Sequence, residues 1–253
     1  MSTKLSKGRR GLRPHLPPRY GLGNRRVVII LGPPGSGKGT QAELIAERTD
    51  LYHLESSEVL EESFNQKKGP KFIKIEGKKY YFSEEKNIWQ GGILCSPSFV
   101  AHLIKNKVKK LFLMGENLIF SGNPRSLAEA KIFIPLLEKL YGAGNIKIFL
   151  LKQKPETSVI RNSRRKICQL LRHPILYSKG TINLKYCPLD GSKLIKRKGL
   201  DDPKIIKIRL KEYRERTLPM VDFIKREGLK ITEINAENSV AKVFGNIMKA
   251  MVK

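Results

Sequence analysis

A glycine-rich segment near the start of the chain has the residue types and the spacing needed to bind phosphate groups. Residues 32–40 read GPPGSGKGT, which fits the pattern G-x-x-x-x-G-K. Small residues let backbone N–H groups close around phosphate oxygens, and a lysine adds a point charge. The segment therefore predicts a phosphate-binding loop. Its predicted ligand-binding residues are Gly35, Ser36, Gly37, Lys38, Gly39 and Thr40.

Arginines further along the chain are candidates to complete such a site. A planar guanidinium pairs bidentately with phosphate and stacks on nucleotide bases, so arginine suits both kinds of contact. The candidates are Arg125, Arg161, Arg165 and Arg209. In so basic a chain, spacing alone does not distinguish a phosphate clamp from a solvated surface charge.

The elements around the loop must bring these cations together. An apolar run at 26–31 precedes the loop and a helical pattern at 38–49 follows it, which gives the strand–loop–helix order that a phosphate loop requires. Strands and helices go on alternating, which indicates an α/β fold with a mostly parallel sheet covered on both faces. The other predicted strands are 117–120, 146–151 and 230–234, and the other predicted helices are 98–110, 126–141, 155–168 and 202–227.

The chain is strongly basic, with 50 Lys and Arg against 23 Asp and Glu and a formal net charge of +27. Residues 1–24 contain no acid and several prolines, so we expect a flexible basic arm before a single domain at 25–253. A field of this sign attracts nucleotides, RNA and anionic surfaces alike. RNA is therefore a candidate partner of the arm.

Composition also predicts a cytoplasmic protein without a membrane partner. No stretch of the sequence approaches the roughly 20 consecutive apolar residues that a membrane span needs. No apolar signal-peptide core follows the basic N-terminus. Three cysteines, an odd and small number, argue against a secreted disulfide scaffold.

Several motifs, in chain order, resemble those of the adenylate kinase family. The loop ends in Gly-Lys-Gly-Thr-Gln at 37–41, as in that family, and so places its hydroxyl two positions after the lysine. Order and approximate spacing hold from about residue 26 to about residue 248. The further similar segments are 53–58 (HLESSE), 92–97 (GILCSP), 121–125 (SGNPR), Arg161 with Arg165, 201–202 (DD), Arg209 and 217–219 (TLP).

This resemblance implies a P-loop three-layer α/β/α fold with a parallel sheet and two inserts. The inserts would be a flap at 53–95 that binds the nucleoside monophosphate and a lid at 164–201 that covers ATP. The implied activity is phosphoryl transfer from ATP, with Mg²⁺, to a nucleoside monophosphate, with AMP as the first choice. The resemblance also implies a monomer.

The same resemblance implies a role for each matching residue. Lys38 would hold the donor phosphates, and Arg161 would stack on the donor adenine. Arg125, Arg165 and Arg209 would clamp the transferring group and the acceptor phosphate. The implied acceptor-binding residues are Ser56, Leu94, Gly122, Arg125, Glu129 and Lys198.

Three positions depart from the pattern of the family. An aspartate that helps to hold the water shell of Mg²⁺ is replaced by Ser121, which brings no charge. An arginine for the acceptor phosphate is replaced by Glu61, whose carboxylate would repel phosphate. The glutamine that reads the adenine of AMP is replaced by Glu129, which when ionised cannot donate to a ring nitrogen and in principle suits guanine. These departures leave the acceptor base and the rate open.

Many lids of this family also carry a zinc site of the form C-x-x-C…C-x-x-C/D. Here Cys168, Cys187 and Asp190 occupy three of the positions, whereas the second position is Leu171. His173 is a substitute ligand in principle. Since a tetrahedral structural site needs four ligands, we expect that the lid has lost its zinc.

Two other functions compete with the kinase. The basic arm, Ser121 and Glu61 would fit a protein of this fold that binds RNA or a ribonucleoprotein, with weak kinase activity or none. Such binding would weaken steeply as salt is added. A generic P-loop ATPase is the weaker competitor, because nothing in the sequence resembles a second acidic motif after an apolar strand.

Overall fold

The computed structural model describes residues 25–66, 69–170, 174–177, 180–196 and 201–252. Its centre is a sheet of five parallel strands, and the four predicted strands all belong to it. Leu51–Glu55 was not predicted as a strand, because it is short and alternates buried with exposed positions. From one edge to the other, the strands are Leu51–Glu55 (β2), Asn117–Ser121 (β5), Val27–Leu31 (β1), Ile146–Lys152 (β6) and Ile231–Asn235 (β10).

Helices cover both faces of this sheet, which confirms the predicted three-layer α/β/α fold. On one face, Lys38–Arg48 (α1) and Val240–Val252 (α9) bury their apolar sides against the strands. On the other face lie Pro97–Leu113 (α4), Leu127–Tyr141 (α5) and Leu218–Arg226 (α8), which share a larger core. β1 is buried along its whole length because it lies at the centre of both cores.

The first excursion from the sheet follows β2 directly. It consists of Ser56–Phe64 (α2), the hairpin strands Phe72–Ile75 (β3) and Lys78–Tyr81 (β4), and Phe82–Gln90 (α3). Residues 53–55, which we predicted within the flap, lie in the core strand β2 instead. Their side chains are therefore fixed by pairing with β5.

The second excursion follows Pro155–Arg164 (α6), a helix that is shorter than the predicted 155–168. The chain turns at Arg165 into Lys166–Cys168 (β7), since Ile167 and Cys168 are buried in a small antiparallel sheet. The other strands of this small sheet are Pro174–Ile175 (β8) and Leu194–Ile195 (β9).

The predicted helix 202–227 is interrupted. Pro203–Glu212 (α7) passes through one π-helical turn, Tyr213–Thr217, before α8 begins. Pro219 has no N–H for the carbonyl of Glu215, and its ring crowds that carbonyl, so a widened turn fits here. A 3₁₀ turn, Ala143–Asn145, precedes β6. Within the part of the chain described, no helix combines the length and the apolar character that a bilayer crossing requires.

Candidate active site

The residues that the sequence singles out converge at the carboxyl ends of the central strands. β1 leads into the phosphate loop, β5 leads into the segment 121–126, and β2 ends at Glu55. Parallel strands bring their carboxyl ends to one edge of the sheet, where open α/β folds form their ligand crevices. Segments far apart in sequence therefore meet at this edge.

The phosphate loop is packed on one side and open on the other. A Cβ atom on Gly35 would lie 2.3 Å from Nδ2 of Asn162, so the loop backbone approaches α6 closely. At Gly37 and Gly39, by contrast, a Cβ atom would meet nothing within 4 Å. Gly37 also has a left-handed φ of 89° at the N-cap of α1. The open side thus exposes the N-terminus of α1, where a helix favours phosphate.

Lys38 is bent back over this loop. Its Nζ donates hydrogen bonds to the carbonyl oxygens of Gly32 and Pro33, both at 2.8 Å. Burial above all, and then the charges of Arg125 and Arg209, lower the pKa of Lys38 to about 7, while Glu55 opposes this shift. Two arginines from distant segments therefore repel the charge of Lys38, and an anion bound near them would relieve this repulsion.

The pKa of Lys38 should make binding of a phosphate ligand such as ATP pH-dependent. In the unfolded chain the lysine stays protonated up to its ordinary pKa of 10.5, so between pH 7 and 10.5 the folded protein without ATP holds fewer protons. Its stability should accordingly rise with pH in this window. Phosphate restores the charge, so at about pH 8.5 binding should take up about one proton.

Calorimetry in buffers of different ionisation enthalpy measures this proton uptake. The variant Lys38→Arg is the control, because arginine stays charged in both states and should take up almost no proton at this position. Equal proton uptake by wild type and variant would contradict the assignment to Lys38.

The segment 121–126 holds Arg125 beside the loop. Nε of Arg125 donates to the carbonyl of Gly122, and Oγ1 of Thr217 donates to the carbonyl of Arg125 at 2.6 Å. Gly122 has a φ of +89°, which favours glycine, and a Cβ atom there would also displace the guanidinium of Arg125, whose Nη2 would lie 2.5 Å away. Thr217, which the sequence placed only in a family motif, is therefore a support for Arg125.

Glu129, which the resemblance assigns to the acceptor base, is bound by residues of its own segment. Its side chain is buried, and both carboxylate oxygens accept hydrogen bonds. Oε2 accepts from Nδ2 of Asn123 at 2.8 Å and from the backbone N–H of Arg125 at 3.0 Å. Oε1 accepts from Oγ of Ser126 at 3.1 Å. The N–H of Glu129 donates in turn to Oγ of Ser126, the N-cap of α5. Ser126 thus caps α5, and the carboxylate of Glu129 positions the Arg125 backbone one residue before the cap.

The remaining two arginines are each held by a specific partner. Nη2 of Arg165 donates to Oδ1 of Asp201 at 2.7 Å, and the carboxylate of Asp201 is buried. Nη1 of Arg161 donates to the carbonyl of Ala236 at 2.9 Å and to Oε1 of Gln153 at 3.3 Å. Gln153 and the backbone that follows β10 therefore orient Arg161. No sequence motif predicted this contact.

The end of the first excursion is tied to α7 and the π-helical turn. The N–H of Leu94 donates to Oε2 of Glu212 at 3.1 Å, and Nη1 of Arg216 donates both to the carbonyl of Leu94 at 3.2 Å and to Glu212 at 3.0 Å. Both backbone groups of Leu94 are therefore held by one ion pair. The i,i+4 spacing of the two charges was the only sequence signal of this contact.

Gly92 is packed tightly next to this contact, and we expect Gly92→Ala to impair both stability and catalysis. Gly92 has a φ of +82°, and a Cβ atom there would lie 2.7 Å from Cγ2 of Ile205 and 3.3 Å from Cγ of Arg209. The variant should lose about 2 kcal/mol in the free energy of unfolding and should displace Arg209.

Urea unfolding and kcat/KM for the acceptor nucleotide measure the two effects. The matched control is Gly115→Ala, since Gly115 has a φ of +80° with nothing within 4 Å of its Cβ position, and it should lose stability alone. Equal activity of the two variants would show that the contact between Gly92 and α7 does not position Arg209.

Buried polar atoms without a hydrogen-bond partner mark the same region. Within the described residues, five of the six such atoms belong to segments that the sequence predicted for the site. These five are Oγ of Ser36, Oε1 of Gln41, Oγ of Ser56, Oδ1 of Asn123 and Nε of Arg165. A buried polar atom without a partner costs free energy, and a ligand with many acceptors and donors would pair such atoms.

The donor set near the loop also fits Mg²⁺. This ion prefers oxygen ligands and keeps several waters. Thr40 in the first turn of α1, Ser121 at the end of β5 and Glu55 at the end of β2 offer hydroxyl and carboxylate oxygens on the side of the sheet that carries Lys38. The residues present therefore suit a hydrated magnesium ion bound to phosphate.

In the small sheet, three possible zinc ligands lie together. The ligand atoms of Cys168, Cys187 and Asp190 are all within 4.8 Å of one another, and Sγ of Cys168 donates to Oδ2 of Asp190 at 3.0 Å. No fourth His, Cys, Asp or Glu joins them among the residues described here. His173 and the acceptor-binding candidate Lys198 lie outside the described residues. The expected loss of lid zinc stays a prediction.

Comparison with known proteins agrees with this geometry. A family sequence model described as "Adenylate kinase" matches residues 30–229. The adenylate kinase of Methanothrix thermoacetophila is 30% identical over 228 residues, which cover 89% of this chain and 98% of the relative. That of Clostridium botulinum (strain Loch Maree / Type A3) is 29% identical over 87% of this chain and 95% of the relative. Adenylate kinase 2 of Schistosoma mansoni is 30% identical over 91% of both chains.

Proposed function

Since this chain belongs to the adenylate kinase family, we propose that it transfers the terminal phosphoryl group of ATP to AMP and so forms two molecules of ADP. Family membership makes the chain a phosphotransferase of the nucleoside monophosphate kinase class. The choice of AMP, the use of Mg²⁺ and the roles of individual residues are the content of the proposal.

The convergence of three cations is the observation that carries it. Arg125 and Arg209 act on Lys38 strongly enough to lower its pKa, although the three residues come from separate segments of the chain. In phosphoryl transfer the negative charge spreads over three oxygens, so catalysis consists mainly of positioning and charge stabilisation. A fixed cluster of cations supplies both.

In the proposed reaction, an oxygen of the acceptor phosphate attacks the γ-phosphorus of ATP while the bond from that phosphorus to the bridging oxygen breaks. Lys38 holds the β- and γ-phosphates, and Arg125 and Arg209 stabilise the transferring group. Arg165, bound by Asp201, would reach the same phosphates from the turn that follows α6. Mg²⁺ would be held through Thr40, Ser121 and Glu55 and supplies charge neutralisation when bound.

We also propose the acceptor side of the site. Leu94, Ser56 and Gly122 line it, and the first excursion closes over the monophosphate while the lid closes over ATP. Closure excludes water, so the phosphoryl group goes to AMP instead of being hydrolysed. The Glu129 carboxylate accepts hydrogen bonds from Asn123, Arg125 and Ser126 and would have to leave them before it could read a base, so we propose that other groups select the base.

The proposal further includes a cytoplasmic monomer. RNA binding by the basic arm stays a prediction, since residues 1–24 lie outside the described part of the chain. Deletion of these residues should leave turnover intact. If the protein instead functions by binding RNA, the deletion should remove most of its affinity for RNA, and this affinity should weaken as salt is added.

Formation of ADP from ATP·Mg²⁺ with each of AMP, GMP, CMP and UMP tests the proposal. We expect turnover with AMP in preference to the others, and a loss of at least about a hundredfold in Arg125→Ala. Arg226→Ala, at an exposed arginine of α8, is the matched control and should behave as wild type. Preference for GMP would overturn the choice of AMP. Failure with all four acceptors, from protein that still binds ATP, would overturn the kinase activity.

A further inference from the structure

One acidic side chain lies within the cluster of cations. Glu55 is the last residue of β2 and is half-buried. Its carboxylate is close enough to Lys38 to raise the pKa of the lysine, against the effects of burial and of the two arginines. A carboxylate beside a phosphate-binding lysine repels the phosphates by its own charge. A cation between the carboxylate and the phosphates would turn this repulsion into attraction.

The sheet places Glu55 directly beside Ser121. In the parallel register of β2 with β5, Glu55 is the partner of Ser121 and His53 is the partner of Ile119. Residues two apart on a strand point to the same face, so His53, Glu55 and Ser121 share one face of the sheet. Nε2 of His53 lies 2.7 Å from Oγ of Ser121, which confirms this arrangement and fixes the hydroxyl.

That face is the one covered by α1. Ile119 and Leu51, which point the same way as Ser121 and Glu55, pack in the core formed with α1. The phosphate loop lies at the N-terminus of this helix, and Oγ of Ser36 in the loop is buried without a partner. The carboxylate therefore belongs to the same side of the sheet as the oxygen donors of the loop.

The carboxylate is also oriented. Oγ of Ser57 donates to Oε1 of Glu55 at 2.6 Å. A hydrogen bond to a carboxylate oxygen restricts the rotation of the side chain. Glu55 is therefore a positioned anion at the edge of a cationic site.

We propose that Glu55 supplies the carboxylate that holds the water shell of an ATP-bound divalent cation, with Ser121 as its neutral neighbour. The proposal rests on the proposed function, because it presumes that ATP binds on the phosphate loop. It explains how a site with a hydroxyl at position 121 keeps one negative charge for the metal. The carboxylate comes from the adjacent strand at the position that pairs with residue 121.

A bystander role for Glu55 makes a different prediction. If Glu55 only offsets the charge of Lys38, its removal alters ATP binding equally with and without a metal ion. If it holds the cation's water shell, its removal strengthens metal-free ATP binding, since one repulsive charge is gone, and weakens the advantage that the metal gives. The ratio of the two ATP affinities separates these roles.

The experiment measures ATP affinity by calorimetry in the presence of Mg²⁺ and in the presence of EDTA. We compare wild type, Glu55→Gln, and the double variant Glu55→Gln/Ser121→Asp, which returns one carboxylate to the neighbouring strand. Glu47→Gln, at an exposed position of α1, is the matched control. Circular dichroism establishes that each variant is folded. Electron paramagnetic resonance of Mn²⁺ bound with ATP reports the metal environment directly.

In Glu55→Gln we expect the ratio of the Mg²⁺ affinity to the EDTA affinity to fall by about tenfold, while the metal-free affinity rises. The double variant should regain most of the ratio, and Glu47→Gln should keep it. An unchanged ratio in Glu55→Gln overturns the proposal, and so does a double variant that stays as low as the single one. Because the measurement needs ATP binding alone, inactive protein with the expected ratios would refute the kinase activity and not the role of Glu55.

Discussion

Lys38→Met should lower turnover with ATP and AMP by at least about a hundredfold while the protein remains folded. Methionine keeps the length of the side chain but loses the charge that the phosphates require. Loss of the lysine charge should not unfold the protein, because the folded state already disfavours the charged form. The pKa of Lys38, lowered to about 7, indicates this. The two hydrogen bonds to Gly32 and Pro33 are the only structural contribution that the variant removes among the contacts described for the Nζ atom.

Single-turnover and steady-state kinetics, with thermal unfolding of the same samples, measure this result. Lys105→Met, at an exposed position of α4, changes the same residue type away from the site and should keep wild-type turnover. A Lys38→Met protein with more than about a tenth of wild-type turnover would mean that the phosphate loop is not the catalytic centre.

Asp201→Ala should reduce stability and activity together. The carboxylate of Asp201 is 1% exposed and binds Nη2 of Arg165 at 2.7 Å, while the guanidinium is 21% exposed. Removal of one partner from a buried ion pair leaves the other charge without compensation, which costs about 3 kcal/mol. Arg165 would then lose the partner that orients it, so under its proposed role toward the phosphates we also expect kcat to fall by at least about tenfold.

The neighbouring aspartate provides a control within two residues. Asp202 is exposed and caps α7, with Oδ1 accepting from the N–H of Lys204 at 2.7 Å. Asp202→Ala should therefore lower the free energy of unfolding by about 1 kcal/mol and leave the activity unchanged. Urea unfolding and kinetics of both variants decide the matter. If Asp201→Ala lost stability but kept wild-type kcat, the ion pair would be a purely structural link between α6 and α7.

The central fold was predictable because its signals are local and strong. The apolar run of β1, the glycine-rich loop and the helical pattern after it follow one another without a gap, and each of them implies the next. The five-stranded sheet then follows from alternation of strands and helices. β2 escaped prediction because an edge strand with exposed positions, such as Tyr52, carries no continuous apolar run.

The site was predictable in its residue types but less so in its contacts. A motif predicts where Lys38 or Arg125 lies in the fold, since its spacing determines how many residues separate each of them from the end of the preceding strand. It does not give the partners, which come from segments far away in the chain, such as Thr217 for Arg125 and Asp201 for Arg165. Glu129 illustrates the difference, because the hydrogen bonds that its carboxylate accepts from Asn123, Arg125 and Ser126 compete with any role toward a ligand.

The ion pair that holds Leu94 has a consequence for how this protein opens locally. Proteins open locally in cooperative units, and a backbone N–H exchanges only when the group that binds it is released. Both backbone groups of Leu94 are bound by Glu212 and Arg216, which belong to α7 and the turn after it. Amide exchange at Leu94 should therefore follow the opening of the helix that carries Arg209.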